Sequence, residues 1–333
     1  MPRATIILPT YNNEHYLEEA IESVLRQTFN DFKLLIINDA STDSTSEILN
    51  RFDDERIEII EHTKNQGLIA CLNEGLKKCD SEFCARMDGD DIIHHNKLKR
   101  QIQYLVKNGD VAMCGTRMKA IGSFRRYQYP TNSEIIKTQL LVNNVISHPS
   151  LMWRQKFFAD NNLFYDKDFV GAEDYELWTR AVEKGKITNL PKTFYYYRLH
   201  KDRETIKKSN AQTHNFARVV AREIDKKWPK TFDSKELIFL FDFNQKKSLK
   251  DLQKTEQVLE QILTLNKSNP HYKQKFLEEV LLEKWLACCS AASYLGVPLW
   301  KLWKASGWAE KYQLSYSSLQ KRIFWFYYKT HRL

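Results

Sequence analysis

Glycine and proline are scarce, 10 and 8 in 333 residues, against usual shares of about 7% and about 5%. No Gly-rich loop with a basic residue follows the first apolar run, where a sugar nucleotidyltransferase would carry one. Pro9, Thr10 and Tyr11 stand there instead. An aspartate nucleophile directly after that run, as one class of phosphatase needs, is missing as well. The six cysteines, Cys71, Cys79, Cys84, Cys114, Cys288 and Cys289, form no zinc-type CxxC pair. Several lie within apolar segments, as small buried hydrophobes do, so no disulfide framework is indicated and a reducing compartment is expected. Long apolar runs are missing too: the charge-free stretch from Trp285 to Trp300, as long as any in the chain, contains Gly296 and Pro298 and is short for a membrane span. The chain leads straight into apolar residues 4–8 without a signal-peptide pattern. A cytoplasmic setting is expected, with peripheral attachment to the inner face of a membrane left open.

What is present is ordinary in amount and uneven in place. Hydrophobic residues make up 42% and charged ones 28%, as in soluble globular proteins. The net charge of +9 is not shared evenly. Residues 1–200 carry 26 Lys and Arg against 28 Asp and Glu, whereas residues 201–333 carry 25 against 14. The basic excess of the last part points to an anionic partner, a membrane surface or an anionic polymer.

Apolar runs at 5–8, 32–37, 57–60, 83–87 and 111–114 have the Ile, Leu, Val and Phe content of buried strands. Between them, residues 14–27, 44–52, 68–78 and 96–107 place apolar side chains at helical spacing. This alternation predicts an α/β fold with a mostly parallel sheet covered by helices on both faces. Ligands of such sheets bind beyond the C-terminal ends of the strands. Four polar loops fall there. They are Pro9-Thr10-Tyr11-Asn12-Asn13, residues 38–43 with Asp39 and Asp43, residues 62–67 with Asn65 and Gly67, and Asp88-Gly89-Asp90-Asp91. Tyr11 could stack on a base or be a core aromatic. Asp39 could accept from a base N–H or, like Asp43, cap a helix. Asn65 and Gly67 permit close backbone approach. Three carboxylates in four residues repel one another unless a cation sits between them. Either a hard divalent ion that also holds phosphate oxygens answers this, or the run is an acidic turn capping the next helix.

Ile7 to Asn12, Ile37 to Asp43, Asn65 to Leu68 and Met87 to Asp91, taken in that order, resemble the family 2 inverting glycosyltransferases of GT-A fold, over about residues 4–200. The resemblance implies a nucleotide-sugar site in which Pro9, Tyr11 and Asp39 hold the nucleobase, usually uracil. Asn12, Asn65, Gly67, Arg86 and Gly89 belong to the same site. Asp88 would lie on the ribose side and share the metal, and Asp90 would ligate Mn²⁺ or Mg²⁺ bridging the diphosphate. Asp91 would be a structural partner or a helix cap. Glu173-Asp174 matches an acidic pair at a helix N-terminus whose second member is the catalytic base; both acids also complement the helix dipole. The segment from Val145 to Met152 reads as a strand bordering the site. His148 is either a substrate contact or a satisfied polar residue. The segment from Phe194 to His200 reads as a closing strand, bringing Arg198 and His200 toward the diphosphate and metal.

Two domains follow: a GT-A catalytic domain at 1–200 and a basic, mostly helical domain at 201–333. Helices are expected at 209–228, 235–243, 249–265, 272–292 and 317–328. The aromatic and cationic tail at 321–329 suits a membrane interface, packing on its own domain, or a second subunit as a homo-oligomer. The expected activity is transfer of a hexosyl or N-acetylhexosaminyl group from a nucleotide-sugar donor to a glycan or lipid-linked glycan acceptor, in bacterial surface polysaccharide or lipooligosaccharide synthesis. The alternative is a non-catalytic nucleotide-sugar-binding or scaffold protein of the same fold. Nucleic acid is not an expected partner, since it leaves the four aligned loops without a purpose.

Overall fold

A computed structural model describes residues 1–200 and 209–308. The apolar runs form strands β1 (Ala4–Thr10), β2 (Phe32–Asn38), β3 (Ile57–Glu61) and β4 (Phe83–Arg86). They are followed by β5 (Ile92–Ile93), β6 (Val111–Ala120), β7 (Arg126–Tyr127), β8 (Met152–Arg154) and β9 (Lys186–Tyr197). The order in the sheet is β3-β2-β1-β4-β8-β6-β9-β5, with β7 on β6. Long pairings are parallel, β1 with β2 and β4, β2 with β3, and β6 with β9. Antiparallel pairings span only two or three residue pairs each.

β1 is buried along its whole length, so both of its faces need cover. Ile6 and Leu8 point to one face and share a core with Leu17, Ile21 and Val24 of α1 (Leu17–Leu25). Ile48 and Leu49 of α2 (Thr45–Leu49) join that core. Ile7 points to the other face, against α3 (Leu68–Lys78). There Gly75 admits close approach: a Cβ on it would lie 2.5 Å from Ile7 Cγ2. Each such buried aliphatic side chain contributes roughly 1.5–3 kcal/mol. α4 (Lys97–Lys107) packs Leu98, Ile102 and Leu105 into the first core.

Two expected elements differ. The segment from Val145 to Met152 is not a strand throughout. It turns through a 3₁₀ helix at His148–Ser150 before β8. Pro149 lacks the N–H a strand would use, and Ser150 bonds back through its N and Oγ to the Ser147 carbonyl, at 3.1 and 3.0 Å. The closing strand is longer than expected, starting at Lys186 and ending at Tyr197, so Arg198 and His200 lie beyond it.

The described chain clusters into two compact units, one of residues 1–136 and 145–200, the other of 137–144 and 209–308. The first has α5 (Ser133–Gln139) at its boundary and contains α6 (Gln155–Asp160) and α7 (Glu173–Ala181). The second has helices Ser209–Lys227, Ser234–Phe241, Leu249–Ser268, Gln274–Ala291 and Val297–Ser306. Asp233 caps one, accepting from Lys235 N at 2.8 Å, and Ser248 with Asp251 forms a capping box on the next. Lys284 is buried among Phe216, Phe241 and Phe243 and donates to the Val142 carbonyl at 2.9 Å. Burial lowers its pKa to about 8. The helix expected at 317–328 and the tail at 321–329 lie outside the described residues.

Candidate active site

The loops after β1, β2, β3 and β4 meet at one edge of the sheet. Asn12, in the left-handed region at φ 52°, joins the first loop to the second. Its N–H donates to Ser41 Oγ at 2.9 Å, and its Oδ1 accepts from Thr42 N at 2.8 Å. Asp43 also holds the first loop, accepting from Glu14 N at 3.0 Å. Tyr11 is 48% exposed, so it is no core aromatic and its ring is free to face a ligand. Pro9 lies within β1 opposite Ile37.

Asp39, buried at the end of β2, gathers the third loop. Oδ1 accepts from Gln66 N at 2.8 Å, Oδ2 accepts from Gly67 N at 2.7 Å, and His62 Nδ1 lies 2.7 Å from Oδ1. Asn65 Nδ2 donates to the Asp39 carbonyl at 3.1 Å. Burial opposes ionisation, yet the N–H of Gln66, the His62 ring and the N–H of Gly67 hold the carboxyl below its ordinary value. Gly67, at φ 87°, supplies the turn into α3. Asp39 therefore does not cap the helix on its own loop; it fixes the entry to the next one.

In the fourth loop Arg86 is buried and pairs with Asp88 through both terminal nitrogens, Nη1 at 3.1 Å from Oδ2 and Nη2 against Oδ1. The fork holds Arg86 against the acidic loop. Tyr195, buried on β9, accepts from Asp88 N at 3.3 Å. Oxygens of Asp88, Asp90 and Asp91 lie within 4.8 Å of one another. Asp91 is fully buried. Its Oδ1 accepts from Arg198 N at 2.7 Å, while its Oδ2 has no hydrogen-bond partner. Burial, then the charges of Asp88 and Asp90, push its carboxyl well above the usual range. A buried oxygen without a donor, among carboxylates that disfavour one another's ionisation, fits a divalent cation. Of the two readings of Asp91, the Arg198 bond makes it a structural partner, and it does not cap α4, whose N-cap has no side-chain bond.

Arg198 and His200 arrive just past β9. Arg198 Nε donates to the Asp90 carbonyl at 2.9 Å, Nη2 pairs with Glu19 at 2.5 Å, and the guanidinium lies 4.8 Å from the Tyr16 ring centre. His200 Nε2 is 2.8 Å from Asp90 Oδ2. Glu173 and Asp174 open α7. Buried Glu173 accepts from Gly171 N at 2.6 Å; burial, then the charge of Asp174, raises its pKa to about 7. Asp174 Oδ1 accepts from Tyr175 N at 2.6 Å and its side chain remains partly exposed. His148 is buried, 2.8 Å from the Tyr165 hydroxyl and edge-on to Trp178. Desolvation, then Arg86, holds it well below its usual pKa. It is thus buried with a hydrogen-bond partner, the arrangement of a satisfied polar residue.

Residues 5–172 match Glycosyl transferase family 2. A glycosyltransferase of Haemophilus influenzae is 32% identical over 241 residues, 67% of this chain and 73% of its own. The chain belongs to glycosyl transferase family 2. A second relative of this glycosyltransferase is the Escherichia coli UDP-Glc:alpha-D-GlcNAc-diphosphoundecaprenol beta-1,3-glucosyltransferase WfgD, 29% identical over 55% of this chain and 71% of WfgD. Among solved structures, Staphylococcus aureus TarS 1–349 with UDP-GlcNAc superposes with a TM-score of 0.57 at 18% identity, covering 95% of this chain and 93% of that one. The Pyrobaculum calidifontis mannosyltransferase PcManGT with GDP-Man and Mn²⁺ gives 0.53 at 16% identity, covering 99% and 87%. At those identities the structures show the shared GT-A fold.

The four motif loops thus lie together at one edge of a GT-A sheet. Tyr16, Glu19, His62, Glu74, Tyr165 and Tyr195 were not singled out from the sequence. Each is a helix, strand or loop residue without a local pattern, recruited by its distant partner. Gly89 was singled out, and its reason is steric: a Cβ would stand 2.9 Å from Asn13 Nδ2 and 3.2 Å from Thr10 Oγ1. Those two groups bond each other at 3.1 Å. Gly89→Ala should cost about 1–3 kcal/mol, read as a lowered Tm in a thermal melt.

Proposed function

We propose that this family 2 glycosyltransferase moves a hexosyl or N-acetylhexosaminyl group, with inversion, from a UDP-sugar to a hydroxyl of a glycan or lipid-linked glycan. WfgD, named for UDP-Glc and a diphosphoundecaprenol acceptor, supports the donor and acceptor classes, and the Escherichia coli O-antigen biosynthesis glycosyltransferase WbnJ, 30% identical over 59% of this chain, supports bacterial surface polysaccharide synthesis as the setting. The observation that carries the reading is the Asp88, Asp90 and Asp91 oxygen group, with its unbonded Asp91 oxygen, on the same sheet edge as the Asp39 loop. Those three carboxylates would hold Mn²⁺ or Mg²⁺, which when bound offsets the charge growing on the leaving diphosphate. Tyr11 stacks on the base and Asp39 accepts its N–H. Asp174 takes the proton of the acceptor hydroxyl as that oxygen attacks the anomeric carbon. The bond from that carbon to the diphosphate oxygen breaks on the opposite face, so one displacement inverts the centre.

Incubation with a panel of nucleotide sugars and Mn²⁺ tests the donor, and NMR of the product tests the anomeric configuration. Hydrolysis or transfer of a UDP-sugar with inversion is expected. UDP binding with no turnover on any donor would favour the non-catalytic nucleotide-sugar-binding protein. No helix among the described residues is long and apolar enough to cross a membrane. The basic excess of 201–333 suits an anionic lipid surface, where lipid-linked acceptors lie.

A further inference from the structure

His62 leaves β3 into the loop that Asp39 gathers, and its side chain is only 6% exposed. Its backbone N–H donates to the Asn38 carbonyl at 2.9 Å, tying it to the end of β2. Both ring nitrogens face carboxylates: Nδ1 lies 2.7 Å from Asp39 Oδ1, and Nε2 lies 2.8 Å from Glu74 Oε2 on α3. A carboxylate oxygen only accepts, and a neutral imidazole has one N–H. Two such contacts at once call for the imidazolium.

Asp39 offers about four acceptor sites on its two oxygens. His62 Nδ1 and Gln66 N fill Oδ1, and Gly67 N fills one site of Oδ2. Oδ2 keeps a further site beyond Gly67 N, for which the weakly donating Cys71 thiol beside it is the other protein neighbour. We propose that His62 is a positioning residue of the nucleobase site: as a doubly donating imidazolium between Asp39 and Glu74, it aims Asp39 at the imide N–H of a pyrimidine base, and donor affinity follows its protonation. This rests on the UDP-sugar reading above.

The groups facing His62 are few. Asp39 lies at the end of β2, and Glu74 and Cys71 lie on α3. The Cys71 thiol, pushed up to about 12 by burial and then by Asp39, stays neutral. On its own loop Lys64 is exposed, and Glu61 is bonded to Asn38 Nδ2 at 2.7 Å. The bond to Asp39 and, against burial, that to Glu74 raise the His62 pKa above its usual value. Because the folded value is raised, the stabilisation is complete below about pH 6.5. It is lost as pH rises through the folded value.

The test is UDP binding with Mn²⁺ by titration calorimetry, from about pH 6 to about pH 9, on the wild type, His62→Asn and Glu74→Gln. Asparagine can keep one donor to Asp39 but cannot titrate. Glutamine at 74 removes a charge that holds the proton on His62 from the exposed side of α3. Expected are a wild-type Kd that weakens about tenfold across that range, a flat and weaker profile in His62→Asn, and a midpoint moved to lower pH in Glu74→Gln. Superimposable profiles for all three would overturn the role of His62 and leave the nucleotide site standing. Absence of UDP binding in the wild type would instead overturn the nucleotide reading, and this role with it.

Discussion

Asp174→Asn should bind UDP with Mn²⁺ as the wild type does and turn over about 10²–10⁴-fold more slowly, the usual share of a general base. Asparagine keeps the oxygen that accepts from Tyr175 N, so the start of α7 should hold its shape. What it loses is the capacity to take a proton. The neighbouring carboxyl makes the experiment decisive. Glu173 is buried, engaged by Gly171 N and raised to about 7 partly by the charge of Asp174. Glu173→Gln should therefore retain most of the rate while shifting its pH dependence. If Glu173→Gln is inactive and Asp174→Asn is not, the two acids have been assigned in the wrong order.

The second large effect is expected at Asp90. Asp90→Asn retains an oxygen toward His200 and leaves the carbonyl that accepts from Arg198 untouched. The melting temperature without ligand should move little. Turnover should fall about 10²–10³-fold, the loss of several kcal/mol of charge stabilisation on the leaving diphosphate. Protection of the fold by UDP should no longer depend on Mn²⁺ in a thermal melt. Wild-type metal-dependent protection in this variant would remove Asp90 from the set of ligands and leave Asp88 and Asp91 to account for it.

Much of this site was legible because its residues follow strands. An apolar run that ends in Asp, Asn or Gly marks both the end of a buried strand and a polar loop at the sheet edge, so Asp39, Gly67 and Asp88 to Asp91 could be placed in order. The acids at the start of α7 were legible only through the family resemblance, which places such a pair at a helix N-terminus. What stayed hidden depends on partners far along the chain. β9 begins with Lys186, Thr188, Asn189 and Pro191, a poor strand signal overridden by its long parallel pairing with β6. Arg86 read from the sequence as a diphosphate contact or as a partner of its own carboxylates, and only the fold brings its fork onto Asp88. Asp91 read as a structural partner or a cap, and which partner it serves was hidden because Arg198, more than a hundred residues away, takes one of its oxygens and leaves the other bare.

The reversed strand β8 has an effect on how such a protein can diversify. It lies between β4 and β6 and runs against both, so the chain before it, not after it, reaches the reactive edge. Arg86 N bonds the Leu151 carbonyl at 3.3 Å, three residues past His148. The loops proposed to hold the nucleotide are therefore written downstream of strands, and the segment beside Arg86 is written upstream of one. Insertions or exchanges ahead of His148 can remodel that segment while each of those loops keeps its length and register. Under the proposed activity, one side of the sheet edge is then free to vary with the acceptor hydroxyl while the other keeps to the nucleotide.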